Sequence, residues 1–168
     1  MKEIFERLVE RVNIKRALQY ALYLFLALTC QTMLFSKARI FGVYPMILPA
    51  VAVAVGMFVP VGRAALFSLL MGYFADMAYV ETVFTYTVLF PALSFGAAFL
   101  AQFFLNRRFV AYLGAAFLGL ALTGILQMLR TIALDGFALS MLPTVLLQTL
   151  WSMPGAVLAY YPPAKWIQ

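Results

Sequence analysis

Residues 109–133 read FVAYLGAAFLGLALTGILQMLRTIA, and the first charged side chain in this run is Arg130. Such a run is typical of a helix that crosses a bilayer, because about 20 apolar residues span the hydrocarbon core. Comparable runs recur along the chain, which has 65% hydrophobic and only 11% charged residues. An average soluble domain has about 25% charged residues. The sequence therefore predicts a single membrane-embedded domain.

The apolar runs predict an all-α polytopic membrane protein whose residues 17–161 form a compact bundle of six transmembrane helices. The predicted spans are residues 17–36, 44–61, 64–80, 84–105, 109–133 and 142–161. Residues 162–168 form a short tail. In residues 1–16 the apolar side chains share one helical face, which fits either an interfacial helix or a solvated extension of the first span. The acidic residues of this leader favour a retained span over a cleaved signal peptide.

The positions of the basic residues predict the orientation of the bundle. Nine of the 12 Lys and Arg residues fall on one side, namely the five of residues 1–16 with Arg63, Arg107, Arg108 and Lys165. Only Lys37 and Arg39 occupy a loop on the opposite side. Because loops rich in Lys and Arg stay in the cytoplasm, both termini are predicted to be cytoplasmic. This clustering also explains the net charge of +6 better than a nucleic-acid-binding surface does.

Residue types needed for several kinds of catalysis are absent from the sequence. The chain has no histidine and one cysteine, Cys30, which excludes His/Cys metal sites and a disulfide framework. An intramembrane aspartyl protease would need Asp76 and Asp135 as its carboxylate pair, yet Asp135 lies at a predicted span end and not deep inside a helix. We therefore expect no enzymatic activity and no cofactor.

A stripe of small residues follows one side of the third predicted span. It consists of Ala64, Ser68, Gly72 and Asp76, which recur at every fourth position. Three small side chains in this arrangement permit close contact between helix backbones. Asp76 lies about 20 Å along the helix from Arg63. A charged Asp near a helix centre costs about 2.5–3.5 kcal/mol, so Asp76 should face the bundle interior, pair with another residue or remain protonated. Its role is either a polar link between helices or a functional acid.

Arg130 lies near the predicted outer end of the fifth span. It either pairs with an acidic residue, for which Glu81, Asp135 and Asp76 are candidates, or extends to the lipid headgroups. Neither alternative is favoured by the sequence.

Single amides and prolines mark the other spans. Gln31, Gln127 and Gln148 place one amide in each of three spans, and Pro45 opens the second span. Interhelical hydrogen bonds of amides average roughly 0.6 kcal/mol, so we expect these residues to adjust packing and not to form a transport path.

Residues 31–79 read QTMLFSKARIFGVYPMILPAVAVAVGMFVPVGRAALFSLLMGYFADMAY, and this stretch resembles the rod shape-determining protein MreD family. The resemblance rests on Gln31-Thr32, on the FGVYP entry to the second span and on the stripe that ends at Gly72 and Asp76. Length and layout extend it to the whole chain. The chain departs from the family pattern at Met46, where an acidic or amide residue is common, and at Ala64 and Ser68, where glycines are common.

The resemblance implies a non-catalytic component of the rod complex in the bacterial cytoplasmic membrane, which directs lateral peptidoglycan synthesis and maintains cell shape. The implied partners are the bitopic protein MreC and, through it, the SEDS polymerase, its penicillin-binding protein and MreB. The rival is a substrate-binding S-component of an energy-coupling-factor vitamin transporter, which is similar in size and in its six spans. Against it, the outer half lacks the Asn, Trp, Arg and Tyr cluster expected around a polar vitamin.

Overall fold

The computed structural model describes residues 14–38, 42–79, 84–103, 108–136 and 141–165. Six helices, labelled here in chain order, account for almost all of these residues. They are α1 (Ile14–Thr29), α2 (Leu48–Phe58), α3 (Val61–Ala78), α4 (Thr85–Phe103), α5 (Phe109–Asp135) and α6 (Met141–Lys165). A π-helical segment, Cys30–Phe35, continues α1. The all-α class predicted from the sequence is confirmed for the described residues, whereas most of the predicted interfacial segment, residues 1–16, lies outside them.

Each predicted span corresponds to one helix, but the helices differ in length. Four of them, α1 with its π-helical extension, α4, α5 and α6, are long and apolar enough to cross a membrane. α3 has 18 residues, and α2 has only 11. The second span is therefore not helical throughout residues 44–61 as predicted, because residues 44–47 precede the helix in an irregular segment.

α2 is the central helix of the bundle. All eleven of its residues are buried, and it packs against every other helix. Its sequence, LPAVAVAVGMF, is apolar on all sides, as is typical of a helix surrounded by others. Contact with α4 is especially close, since a Cβ atom at Gly56 would lie 2.2 Å from the carbonyl oxygen of Ser94.

Successive helices run in opposite directions, so the bundle has two distinct ends. At one end Phe58, Phe109 and Tyr160 bring together the end of α2, the start of α5 and the end of α6. At the other end Tyr79 and Tyr86 bring together the end of α3 and the start of α4. We call the second end the polar end, because it collects the amide and carboxylate contacts described below.

α6 continues through Pro162 and Pro163, beyond the predicted span end at residue 161. Pro163 has no N–H, so the carbonyl of Ala159 lacks its usual helical donor. The Tyr23 hydroxyl of α1 donates to this carbonyl at 2.8 Å. A side chain of the first helix thus compensates for a proline in the last.

Candidate functional site

The polar end contains an open cavity of about 650 Å³, which we call the polar cavity. It lies between the ends of α1, α3 and α5 and the starts of α4 and α6, beside the segment that precedes α2. Its principal polar lining residues are Gln31, Tyr79, Tyr86, Gln127, Arg130 and Gln148. The structure thus brings together side chains from five helices that are far apart in the sequence.

Gln31 forms hydrogen bonds with the backbone of the irregular segment before α2. Its Oε1 atom accepts from the Ile47 N–H at 2.7 Å, and its Nε2 atom donates to the Pro45 carbonyl at 3.2 Å. The same Nε2 atom donates to the Tyr79 hydroxyl at 3.2 Å. Gln31 belongs to the π-helical segment and is buried. It therefore satisfies the Ile47 N–H, which precedes the helix, and the Pro45 carbonyl, which a continuous helix could not satisfy because Pro49 has no N–H.

Ser152 of α6 satisfies a further backbone group of this segment. Its hydroxyl accepts from the Met46 N–H at 2.9 Å and donates to the Gln148 carbonyl one turn earlier at 2.6 Å. Non-helical backbone within a membrane is tolerated only where protein or water satisfies it, because each open polar group costs several kcal/mol in hydrocarbon. Gln31 and Ser152 together fulfil this condition for Pro45, Met46 and Ile47.

Asp76 caps α4 from the neighbouring helix. Its carboxylate accepts from the Tyr86 N–H at 3.1 Å, from the Thr87 N–H at 2.8 Å and from the Thr87 hydroxyl at 2.7 Å. The first N–H groups of a helix have no partner within the helix, and the helix dipole favours a negative charge there. In the structure Asp76 thus forms a polar link between α3 and α4.

The small-residue stripe allows Asp76 to reach α4. A Cβ atom at Gly72 would lie 2.3 Å from the Tyr86 carbonyl oxygen and 2.7 Å from the Thr87 Cα atom, so only glycine fits there. Ala64 and Ser68 of the same stripe are buried. The Ser68 hydroxyl has no hydrogen-bond partner within the described part of the chain, and neither has that of Ser94.

A chain of amides crosses the wall of the polar cavity. Gln148 Nε2 donates to Gln127 Oε1 at 3.2 Å, and Gln127 Nε2 donates to the Tyr86 hydroxyl at 2.6 Å. Gln127 Nε2 also lies 3.4 Å from the Met46 sulfur. Gln127 therefore uses both of its amide N–H groups within the wall and joins α4, α5 and α6.

Arg130, one turn beyond Gln127 on α5, also lines the cavity and is half-buried. The lining residues that the structure describes include this cation and no carboxylate. Asp76 is bound to α4, so the structure does not bring Asp76 and Arg130 together as an ion pair. Glu81 lies outside the described residues, and so does the side chain of Asp135.

Sequence reasoning found Gln31, Pro45, Ser68, Gly72, Asp76 and Arg130 but missed several of their partners. Ser152, Tyr79 and Tyr86 were not among the candidates, and the amides were expected to act singly. One signal was present in α6, where Gln148 and Ser152 lie four residues apart and therefore on one side of the helix. The tyrosines carry no comparable signal, because aromatic residues are frequent throughout the chain.

A second feature is an apolar groove between α4 and α5, which we call the α4–α5 groove. These helices are consecutive in the chain but make few contacts with each other. The groove has a volume of about 230 Å³, and Val53 of α2 lies at its base. Its walls are rich in small residues, namely Ala92, Gly96, Ala97, Ala115 and Gly119. A Cβ atom at Gly96 would meet nothing within 4 Å, so this glycine faces open space.

Comparison with known proteins identifies no relative of this chain. No protein-family model, no curated protein and no solved structure matches this chain. The resemblance to the MreD family therefore rests on the residues quoted from the sequence.

Proposed function

We propose that the protein is a non-catalytic scaffold of the bacterial cytoplasmic membrane that belongs to the rod complex and helps to organise lateral peptidoglycan synthesis. The sequence resemblance supports this role, and the α4–α5 groove is the structural observation that carries it. In this proposal six segments cross the membrane and both termini are cytoplasmic.

The surface of the bundle supports a membrane location. Large apolar side chains are exposed on five helices, among them Leu22 and Phe25 on α1, Val88 on α4 and Leu118 on α5. The short α2 fits six crossings when the irregular segment before it is included. Eleven helical residues reach about 17 Å, and the four residues 44–47 add at most about 13 Å, which together approach the roughly 30 Å thickness of the hydrocarbon core.

The α4–α5 groove is suited to a single transmembrane helix of a partner. Helices in lipid gain little from hydrophobic burial, so they associate through close packing at small residues. Antiparallel helices with a short connection ordinarily pack on each other, yet α4 and α5 remain apart over the groove. The single span of an MreC-like bitopic protein would fill this space. The SEDS polymerase, its penicillin-binding protein and MreB would then be reached indirectly.

Substitution of Gly96 by leucine tests this proposal. The leucine side chain would occupy the groove, and we expect about ten-fold less MreC-like protein to co-purify from membranes, since overpacking a contact costs about 1–3 kcal/mol. Gly114→Leu is the matched control, because Gly114 also faces open space in a helix but does not line the groove. Both substitutions replace glycine by a better helix former, so the fold should be retained.

Co-purification is measured by quantitative mass spectrometry on full-length protein extracted in mild detergent. Equal recovery of the MreC-like protein with Gly96→Leu and Gly114→Leu would exclude the groove as the contact surface. Failure of wild-type protein to recover any wall-synthesis protein would contradict the scaffold role itself.

The polar cavity favours a second candidate function, the substrate-binding S-component of a vitamin transporter. The cavity gathers tyrosines, an arginine and amides, so the polar cluster that sequence reasoning found missing is partly present. Its volume lies within the range of about 300–1,000 Å³ typical of small-molecule sites. Stabilisation of the purified protein against thermal unfolding by a water-soluble vitamin would favour this candidate over the scaffold.

A further inference from the structure

We propose that the polar cavity binds the phosphate group of an amphiphilic ligand, with Arg130, Tyr86 and Gln148 as hydrogen-bond donors. This proposal goes beyond the scaffold role and does not depend on it, because it rests on the cavity and not on the α4–α5 groove.

In the amide chain Gln148 donates to Gln127, and Gln127 donates to Tyr86. This direction leaves unused hydrogen-bond donors on Tyr86 and Gln148, which line the cavity. The Tyr86 hydroxyl accepts from Gln127, so its own O–H proton remains for another acceptor. Gln148 uses one N–H of its amide for Gln127 and retains the second. Gln127, which lies between them, has no unused donor. The polar wall therefore offers unused donors on Tyr86 and Gln148, on either side of Gln127, whose two amide N–H groups are already hydrogen-bonded.

Arg130 adds a positive charge to these donors. Its guanidinium carries five N–H groups in a planar fork that matches the oxygens of a phosphate or carboxylate. The described lining residues provide no carboxylate that would neutralise this charge. Described residues that supply one cation, further N–H and O–H donors and no anion are complementary to a group with several acceptor oxygens and negative charge.

The size and apolar walls of the cavity indicate that the ligand is larger than inorganic phosphate. At about 650 Å³ the cavity exceeds the needs of a phosphate group, and Met46, Leu126 and Leu134 line it beside the polar residues. A phosphate ester with an apolar part meets both conditions. Such a ligand comes either from an anionic membrane lipid or from a water-soluble phosphate monoester.

Binding is measured on the full-length protein, with two kinds of probe that distinguish these sources. For the lipid source, native mass spectrometry compares retention of dioleoylphosphatidylglycerol with that of dioleoylglycerol, which has the same chains and no phosphate. For the soluble source, thermal unfolding in detergent is followed during titration with butyl phosphate and, separately, with butanol. We expect one phosphate-bearing probe to bind and its phosphate-free counterpart to bind far more weakly.

Substitutions then locate the binding site. Arg130→Gln should weaken binding of the phosphate probe about ten-fold or more, because a hydrogen-bonded charge is lost. Arg130→Lys should weaken it less, since the charge remains. Arg108→Gln, at the opposite end of α5, should bind as the wild-type protein does. If Arg130→Gln fails to fold, Tyr86→Phe, which removes the spare hydroxyl proton, replaces it and should weaken binding several-fold.

Two results would overturn the proposal. One is that neither phosphate probe binds in preference to its phosphate-free counterpart. The other is that Arg130→Gln and Arg108→Gln bind the phosphate probe equally. Both outcomes leave the scaffold proposal untouched, since co-purification of the MreC-like protein is measured separately.

Discussion

Asp76 illustrates how one ionisable residue is accommodated among apolar helices. A carboxylate in hydrocarbon is costly unless hydrogen bonds replace its water. α4 supplies two backbone N–H groups and one hydroxyl, and these same backbone groups would otherwise lack partners at the start of a helix. The carboxylate and the N–H groups thus satisfy each other's hydrogen bonds, which offsets the cost of removing both from water. Asp76 is consequently engaged in joining α3 to α4.

Replacement of Asp76 by leucine should destabilise the protein. The substitution removes all three acceptor contacts and leaves the first turn of α4 uncapped, with an expected loss of about 1–3 kcal/mol in the free energy of unfolding. Asp76→Asn keeps one acceptor oxygen and should lose less. The measurement is unfolding by sodium dodecyl sulfate in mixed micelles, followed by far-UV circular dichroism. Wild-type stability in Asp76→Leu would show that the cap contributes nothing.

The second span depends on neighbouring helices, because their side chains satisfy backbone groups in its non-helical part. Gly42, with a φ of 85°, adopts a conformation that favours glycine, and the segment after it remains irregular up to α2. Pro45 and Pro49 lack N–H groups, which reduces the number of donors that this segment must satisfy. Side chains of α6 and of the π-helical extension of α1 bind three of its other backbone groups. The segment is therefore stable only within the assembled bundle.

Gln31→Leu should weaken this segment specifically. The substitution leaves the Ile47 N–H and the Pro45 carbonyl without their partner, at a cost of about 1–3 kcal/mol for buried groups. Gln102→Leu is the matched control, because Gln102 is exposed on α4. Hydrogen exchange is the decisive measurement, since the Ile47 amide should exchange faster in Gln31→Leu and at the wild-type rate in Gln102→Leu. Unchanged protection of Ile47 in both variants would contradict the assigned role of Gln31.

The sequence could predict helical class, helix positions and the stripe at Gly72 and Asp76, because hydropathy and residue spacing are local properties. It could not predict that residues 44–47 are irregular, since an apolar run has the same hydropathy in a helix as in an irregular segment. It also could not predict that Gln31 reaches Pro45 or that Gln127 contacts Gln148. Those contacts depend on which helices are neighbours, and this information is distributed over the whole chain.

At the scale of the whole molecule, the apolar residues are distributed between a small core and a large surface. The core surrounds α2, whereas Val110 on α5 and Val88 on α4 are 78% and 69% exposed on the outside of the bundle. A water-soluble protein rarely exposes continuous apolar surface of this extent. The same surface is compatible with contact to lipid chains on all sides of the bundle.

Removal of detergent should therefore cause aggregation of the purified protein. In dodecyl maltoside we expect a helical, monodisperse particle, and on dilution into plain buffer we expect association through the exposed apolar surface. Size-exclusion chromatography with light scattering distinguishes the two states. A folded monomer in plain buffer would contradict the proposed membrane location and, with it, the six crossings.

The hydrogen bond between the Met46 N–H and the Ser152 hydroxyl joins positions that are 106 residues apart. Ribosomes add about 5–20 residues per second, so Met46 is synthesised about 5–20 s before its partner. During that interval the Met46 amide lacks its partner, so the segment before α2 cannot adopt its final form. Folding of this segment is thus completed only after α6 has been synthesised, and a chain truncated before α6 would leave this amide without its acceptor.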